Sequence, residues 1–108
     1  MKTVTFMGDS LARIKAFPPD VRQDTGFQIN NIQHGEVPDE WKPMRTIGIG
    51  AREIRIRASG NHYRVIYLTK QEGSVYILHA FQKKTQRTKK SDIDLARKRL
   101  RKIGDLSD

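Results

Sequence analysis

The pattern of apolar and polar residues is clearest in the middle of the chain, where it predicts three β-strands. In Arg52–Arg57, Ile54 and Ile56 occupy one face and Glu53, Arg55 and Arg57 the other, which is the two-residue period of a strand. Apolar runs predict further strands over Tyr63–Leu68 and Ser74–Phe81. The short turns ASGNH and TKQEGS separate these segments, so the three strands should form an antiparallel meander.

Helical spacing on both sides of this region predicts three helices, and KTVTFMG at the start of the chain predicts one further strand. A short first helix begins near Asp9 and stops before the Pro-Pro pair, and a second runs from Pro19 to about His34. A third, basic helix spans Asp92–Ile103 behind a Ser91 cap.

The segment between the second helix and the meander has no such period. Residues 35–47 are expected to form a loop, and the alternation of Ile47 and Ile49 with glycine indicates a bend or a weak strand. Together the elements predict a single α+β domain over residues 1–108, with two N-terminal helices on a small antiparallel sheet of about four strands. A basic helix completes the domain at the C-terminal end.

Charge divides the chain into two unequal halves. Residues 1–50 hold six Lys/Arg and six Asp/Glu, whereas residues 51–108 hold fifteen and six and so carry the whole net charge of +9. These basic residues lie within the predicted strands and the last helix rather than in a tail. A basic surface built into a fold indicates a polyanionic partner, and nucleic acid fits best.

Composition excludes several classes of protein. The chain has no cysteine, and its three histidines are scattered without an HExxH, Walker A or GxGxxG motif, so we expect no metal and no cofactor. No apolar run approaches the roughly 18 residues of a membrane span, and the N-terminus lacks a hydrophobic signal core. We therefore expect a cytoplasmic protein with no membrane partner.

The first candidate site is the charged face of the strand Arg52–Arg57. Arg55 and Arg57 should lie about 7 Å apart on one face, and a neighbouring strand can bring Arg64 beside them. Guanidinium groups bind phosphate through paired hydrogen bonds, which suits a nucleic-acid backbone. The alternative is an exposed, solvated face that Glu53 partly neutralises.

The second candidate is the segment HAFQKKT at the end of the last predicted strand. It should bring a histidine, an aromatic ring, Lys83 and Lys84 to one rim of the sheet. His79 can donate or accept a proton near neutral pH, and Phe81 can stack on a base. The alternative is that His79 is a hydrogen-bonded residue at the end of the sheet and Phe81 belongs to the core.

The third candidate is the basic run from Lys83 to Lys90, together with the helix that follows. Each Lys or Arg that meets a phosphate adds affinity and salt dependence without reading sequence. The alternative is a solvated helix face. The RNA-binding residues expected from all these patterns are Arg57, Phe81, Arg87, Lys89 and Lys90.

Two stretches carry a family resemblance: REIRIRASGNHYRVIYL…VYILHAFQKKTQRTKKSDIDLARKRL and, upstream, DVRQDTGFQINNIQHG…DEWKPM. Both are similar to the phage-derived, HigB-type branch of the RelE/ParE toxin superfamily, over the chain from about Val4 to Ile103. The resemblance implies a RelE-like fold and a toxin of a type II toxin–antitoxin module. It further implies a ribosome-dependent endoribonuclease that cuts mRNA and is neutralised by a helix-turn-helix antitoxin.

The same resemblance assigns site residues. It implies that basic residues of RelE-type enzymes correspond to Arg55, Arg64 and Lys83 or Lys84 in this sequence. A position that is Lys in RelE falls on Glu53 here, and the C-terminal Tyr of RelE has no obvious counterpart beyond the last predicted strand.

The resulting hypothesis is metal-independent cleavage by attack of the 2′-hydroxyl on the adjacent phosphate. Arg55 and Arg64 would clamp the phosphate, Lys83 or Lys84 would assist as a proton donor, and His79 would be the acid or base. Two alternatives remain open at this stage. One is a ParE-like inhibitor of DNA gyrase, and the other is a non-catalytic nucleic-acid-binding module.

Overall fold

The computed structural model describes residues 1–70 and 73–106, which form one sheet with helices on both faces. The elements are β1 (Thr3–Phe6), α1 (Ser10–Lys15), α2 (Pro19–Gln33), β2 (Trp41–Pro43), β3 (Arg52–Ala58), β4 (Asn61–Lys70), β5 (Ser74–Lys83) and α3 (Lys90–Leu106). The strand order is β1-β5-β4-β3-β2, with β1 parallel to β5 and the other neighbours antiparallel. The predicted α+β class and the antiparallel meander β3–β4–β5 are confirmed.

The sheet has five strands rather than about four, because part of the predicted loop forms β2. Trp41 pairs with Ile54 and Pro43 pairs with Arg52, so this strand lies at the edge, where a proline costs no ladder hydrogen bond. The Arg52 guanidinium lies 4.3 Å from the centre of the Trp41 ring. A strand of three residues is too short to show a period of two, which is why the sequence pattern misses it.

One face of the sheet is covered by α1 and α2. Val21, Ile29 and Ile32 are buried there because they recur at helical spacing along α2. They pack against alternate residues of the central strands, and the resulting core includes Ile54, Ile56, Val65, Tyr67, Val75 and Ile77.

The opposite face is covered by α3, which lies against β5 and β4. A second core forms there around Ile66, Leu78, Phe81, Ala96 and Ile103. The helix is longer at both ends than the predicted Asp92–Ile103. Ser91 lies inside its first turn rather than before it, so the predicted Ser91 cap is wrong.

A bulge in β5 sets which side chains reach the α3 face. Ile66 pairs with His79 and Tyr67 pairs with Ile77, so Leu78 is an extra residue without a partner in the ladder. Leu78 and His79 therefore both face α3, and normal alternation resumes with Ala80 on the α2 face. The predicted turn after β4 includes Gln71 and Glu72, which lie outside the described residues.

Within the described range, the helices lack the combination of length and apolar character that a membrane span requires.

Candidate nucleic-acid interface

Two arginines lie directly opposite each other in the middle of the sheet. Arg55 on β3 pairs with Arg64 on β4, and Arg64 pairs in turn with Phe81 on β5. All three side chains are on the α3 face, where α3 covers Phe81 and leaves Arg55 partly exposed. Like charges directly opposite in an antiparallel pair are destabilising, so the arrangement needs a compensating group.

Glu53 supplies that compensation from the same face of β3. One carboxylate oxygen, Oε1, lies 3.5 Å from Arg55 Nε and 3.3 Å from Arg64 Nε. Glu53 and Arg64 are almost fully buried, whereas the Arg55 side chain is 29% exposed. Burial is the main reason that the pKa of Arg64 is lowered, and the Glu53 carboxylate opposes this effect. The carboxylate cancels one of two positive charges and leaves one to attract an anion.

An open cleft of about 380 Å³ lies over this pair, and we call it the arginine cleft. Lys83, the last residue of β5, and Lys84, which follows it, stand at its rim. The cleft is lined by Arg55, His62, Arg64, Lys83, Lys84, Thr85 and Gln86. Four of the five residues predicted to be catalytic are therefore brought together, although three different strands supply them.

The fifth, His79, lies elsewhere. Its side chain is fully buried beneath α3, where Nε2 lies 2.7 Å from Asp92 Oδ1 and the ring stacks on Phe81 at 5.2 Å. A carboxylate can only accept a hydrogen bond, so Nε2 carries a proton and donates it. Burial lowers the pKa of His79, and the hydrogen bond to Asp92 opposes this. The expectation that His79 and Phe81 lie at an open rim is wrong, because α3 covers both rings.

The remaining predicted RNA-binding residues are exposed but lie outside the arginine cleft. Arg57 donates to Glu40, with 2.8 Å between Nη2 and Oε1. Arg87, Lys89 and Lys90 lie in the connector after β5 and at the start of α3. They are placed to add diffuse attraction to phosphate around the cleft.

His62 is a cleft residue that the sequence pattern did not single out. It pairs with Arg57 on one side and Lys83 on the other, and its side chain is exposed. The segment ASGNH was interpreted as a turn, whereas β4 begins at Asn61. Extending the alternation two residues back from Arg64 would have placed His62 on the same face.

A metal centre is not visible in this arrangement. Within residues 1–70 and 73–106, no three His, Asp or Glu side chains are grouped closely enough to hold an ion.

Comparisons with known proteins agree with this architecture. The family described as phage derived protein Gp49-like (DUF891) matches residues 12–101. A search of curated proteins found no match.

Three solved structures are similar in fold. They are the isolated RelE toxin of Escherichia coli (TM-score 0.62, 16% identity, 90% of this chain and 98% of the other), the intact RelBE toxin–antitoxin complex of E. coli (0.58, 14%, 79% and 100%) and a RelBE toxin–antitoxin complex of Mycobacterium tuberculosis (0.58, 22%, 76% and 98%). At these identities the likeness establishes the fold.

Proposed function

The chain belongs to the phage-derived Gp49-like family, and we propose that it is a toxin of a type II toxin–antitoxin module, of the HigB type, that cleaves mRNA on the ribosome. The observation that carries this proposal is the arginine cleft. It combines two apposed arginines, two lysines and an exposed imidazole in a groove open to a single strand. The RelE-like fold and the net charge of +9 support the same proposal.

The proposed reaction uses a nucleophile that RNA itself supplies. The 2′-hydroxyl oxygen attacks the adjacent phosphorus, the bond to the 5′-oxygen breaks, and a proton moves from the hydroxyl to a base and from an acid to the leaving oxygen. Charge develops on the phosphate oxygens in the transition state, and fixed guanidinium groups stabilise that charge without reorganising. Arg55 and Arg64 suit this task because Glu53 and the strand pairing hold them in place.

The proton-transfer groups must reach the phosphate. His62 lines the cleft and is exposed, whereas His79 is buried, so we assign the imidazole role to His62. Lys83 and Lys84 would neutralise the phosphate and assist the leaving oxygen. This replaces the sequence-based assignment of the acid or base to His79.

A toxin of this kind needs a partner that silences it. Two of the similar solved structures are toxin–antitoxin complexes, which supports an antitoxin as partner here. We propose a helix-turn-helix antitoxin, whose acidic surface would complement the basic half of the chain.

The test is cleavage of mRNA in a ribosome-programmed translation reaction, mapped by primer extension. Arg55→Ala should lower the cleavage rate about 100-fold, since a fixed donor to a developing anion typically contributes two to three orders of magnitude. This variant keeps the Arg64–Glu53 pair and so should fold. The matched control is Lys15→Ala, which removes one exposed positive charge from α1, on the other face of the sheet. It should cleave like the wild type.

Other results would redirect the proposal. Equal cleavage by Arg55→Ala and the wild type would show that the arginine cleft is not the active site. Growth arrest with DNA breaks and uncut mRNA would favour a gyrase inhibitor. A wild-type protein that binds RNA but neither cuts it nor arrests growth would be a binding module.

A further inference from the structure

A second cleft, of about 400 Å³, lies next to the arginine cleft where α1, β5 and the start of α3 meet. Its lining includes Ala16, Phe17, Phe81, Lys84, Lys89 and Asp92, and we call it the Asp92 cleft. Lys84 lines both clefts. A strand whose phosphate lies over Arg55 and Arg64 can therefore reach the second cleft with a neighbouring nucleotide.

Part of the lining of the Asp92 cleft is apolar. Phe17 and Phe81, which are only 8% and 7% exposed, contribute to it together with the small side chain of Ala16. Lys84 and Lys89 supply positive charge at the rim. An apolar surface with cations at its edge fits a nucleobase together with its phosphate.

Asp92 gives this cleft a fixed hydrogen-bond acceptor. Oδ1 accepts from the buried His79 at 2.7 Å, so the carboxylate is held in one orientation, and its side chain is still 19% exposed. His79 lies behind the cleft and has no access to it. His79, the first residue of HAFQKKT, is thus a positioning residue that orients Asp92 and does not contact the phosphate.

We infer that the Asp92 cleft binds an RNA base that carries an exocyclic amino group, such as cytosine, next to the phosphate in the arginine cleft. This inference rests on the proposed function for its substrate. A carboxylate accepts from the amino group of cytosine, whereas uracil presents a carbonyl oxygen at the same position and is repelled. Asp92 therefore acts as a selector of sequence beside a cleft that reads only phosphate.

The experiment measures binding rather than cleavage, so that it stands apart from the test of the proposed function. Short fluorescent RNAs with 2′-O-methyl groups cannot be cut, and their affinity for the full chain is measured by anisotropy. One RNA contains only uracil and the other has a single central cytosine. The wild type should bind the cytosine RNA about tenfold more tightly, as expected for one charge-assisted hydrogen bond gained and one repulsion avoided.

Asp92→Asn should abolish this preference, because it removes both the charged acceptor for the amino group and the repulsion of uracil. The amide oxygen can still accept from His79, so the variant retains the contact that holds α3. The control is Asp94→Asn on the same helix, which removes the same charge from an exposed position. It should keep the wild-type preference.

A second pair of variants keeps the inference testable if Asp92→Asn fails to fold. Ala16→Trp, at the residue just after α1, should fill the cleft and lose the preference. Ala12→Trp, at an exposed position within α1, should keep it. A wild type without base preference, or a preference that survives both Asp92→Asn and Ala16→Trp, would overturn the inference and leave the proposed cleavage untouched. Failure to bind either RNA would also overturn it, while mRNA cleavage on the ribosome would still decide the proposed function.

Discussion

Glu53 shows how one residue changes the electrostatics of a whole site. Without it, Arg55 and Arg64 would face each other across two strands with no neutralising group beside them. A buried carboxylate within 3.5 Å of the Arg55 Nε and 3.3 Å of the Arg64 Nε relieves the repulsion between the two guanidiniums. Glu53 therefore compensates two positive charges at once.

His79 makes the stability of the protein depend on pH, because burial favours its neutral form. Burial lowers its pKa from the ordinary 6.5, while Asp92 opposes the shift and Arg13 and Arg99 add to it. The unfolded chain then binds a proton at a higher pH than the folded chain does. The contribution of His79 to stability is therefore complete above pH 6.5 and is lost as the pH falls below that value toward the lowered pKa.

We expect the free energy of unfolding to decrease between about pH 7 and about pH 5, and His79→Gln to remove most of this slope. Gln is neutral throughout this range and can still donate to Asp92. Urea unfolding at several pH values provides the measurement. His34→Gln, at an exposed position, should keep the wild-type slope, and an unchanged slope in His79→Gln would contradict the assignment.

At the scale of elements, α3 is the part of the fold whose docking decides what is exposed. Arg99 donates from Nη1 to the Leu78 carbonyl at 2.8 Å and from Nη2 to Asp9 at 2.7 Å. Together with Arg13 it lowers the pKa of Asp9 from 3.8 to about 2. One arginine thus ties α3 to the bulge of β5 and to the turn before α1. Gly48 lets the helix approach closely, because a Cβ there would lie 2.9 Å from Leu100 Cδ1.

Arg99→Ala should lower the stability of the protein by about 2 kcal/mol, because a partly buried carbonyl and Asp9 both lose a charged donor. Arg101→Ala, at an exposed position on the same helix, should change it by less than about 0.5 kcal/mol. Urea denaturation compares the two variants. Equal stabilities would mean that apolar packing alone docks α3.

At the scale of the whole molecule, the uneven charge is divided between two kinds of surface. The nearly neutral first half provides the helices that cover one face of the sheet, and the basic half provides both the arginine cleft and the exposed face of α3. Only cations that meet phosphate should release counterions on binding. The salt dependence of RNA binding can therefore distinguish cations of the arginine cleft from cations elsewhere on the surface.

The double variant Lys83→Ala/Lys84→Ala should reduce the salt dependence of RNA binding by about 0.7 per lysine in the slope of log K against log salt. Lys15→Ala/Arg22→Ala removes the same charge from exposed positions on α1 and α2, and its slope should stay near that of the wild type. Anisotropy titrations of the 2′-O-methyl uracil RNA at several salt concentrations give both slopes. Equal losses would mean that RNA samples the whole surface.

Most of the secondary structure could be predicted from the sequence, since periodicity is a local property. Alternation in Arg52–Arg57 placed Arg55 on the polar side of its strand, and the short turn to the next strand brought Arg64 within reach. The candidate site was predictable to the same extent, because neighbouring antiparallel strands present their charged faces together. The strand β2 was missed because three residues show no period.

The position of His79 could not be predicted, since it depends on which face a distant helix covers. The two-residue period places His79, Phe81 and Lys83 on one face of the strand. It does not show that α3 buries His79 and Phe81 and leaves Lys83 at the rim of the arginine cleft. The role of Glu53 was hidden for a related reason. Its contact with Arg64 depends on the register between two strands and on the depth of burial.

The sequence by itself determined the helices, the central strands, the alternation of their faces and the concentration of positive charge in the second half, because each follows from residues close together in the chain. The tertiary structure decided that β1 lies parallel to β5, that α3 covers the face opposite α2, and that Leu78 bulges. These features depend on contacts between distant segments, whose free energy no local pattern records. They leave the arginine cleft open and bury His79, and so they decide which of the predicted site residues lie together at the surface.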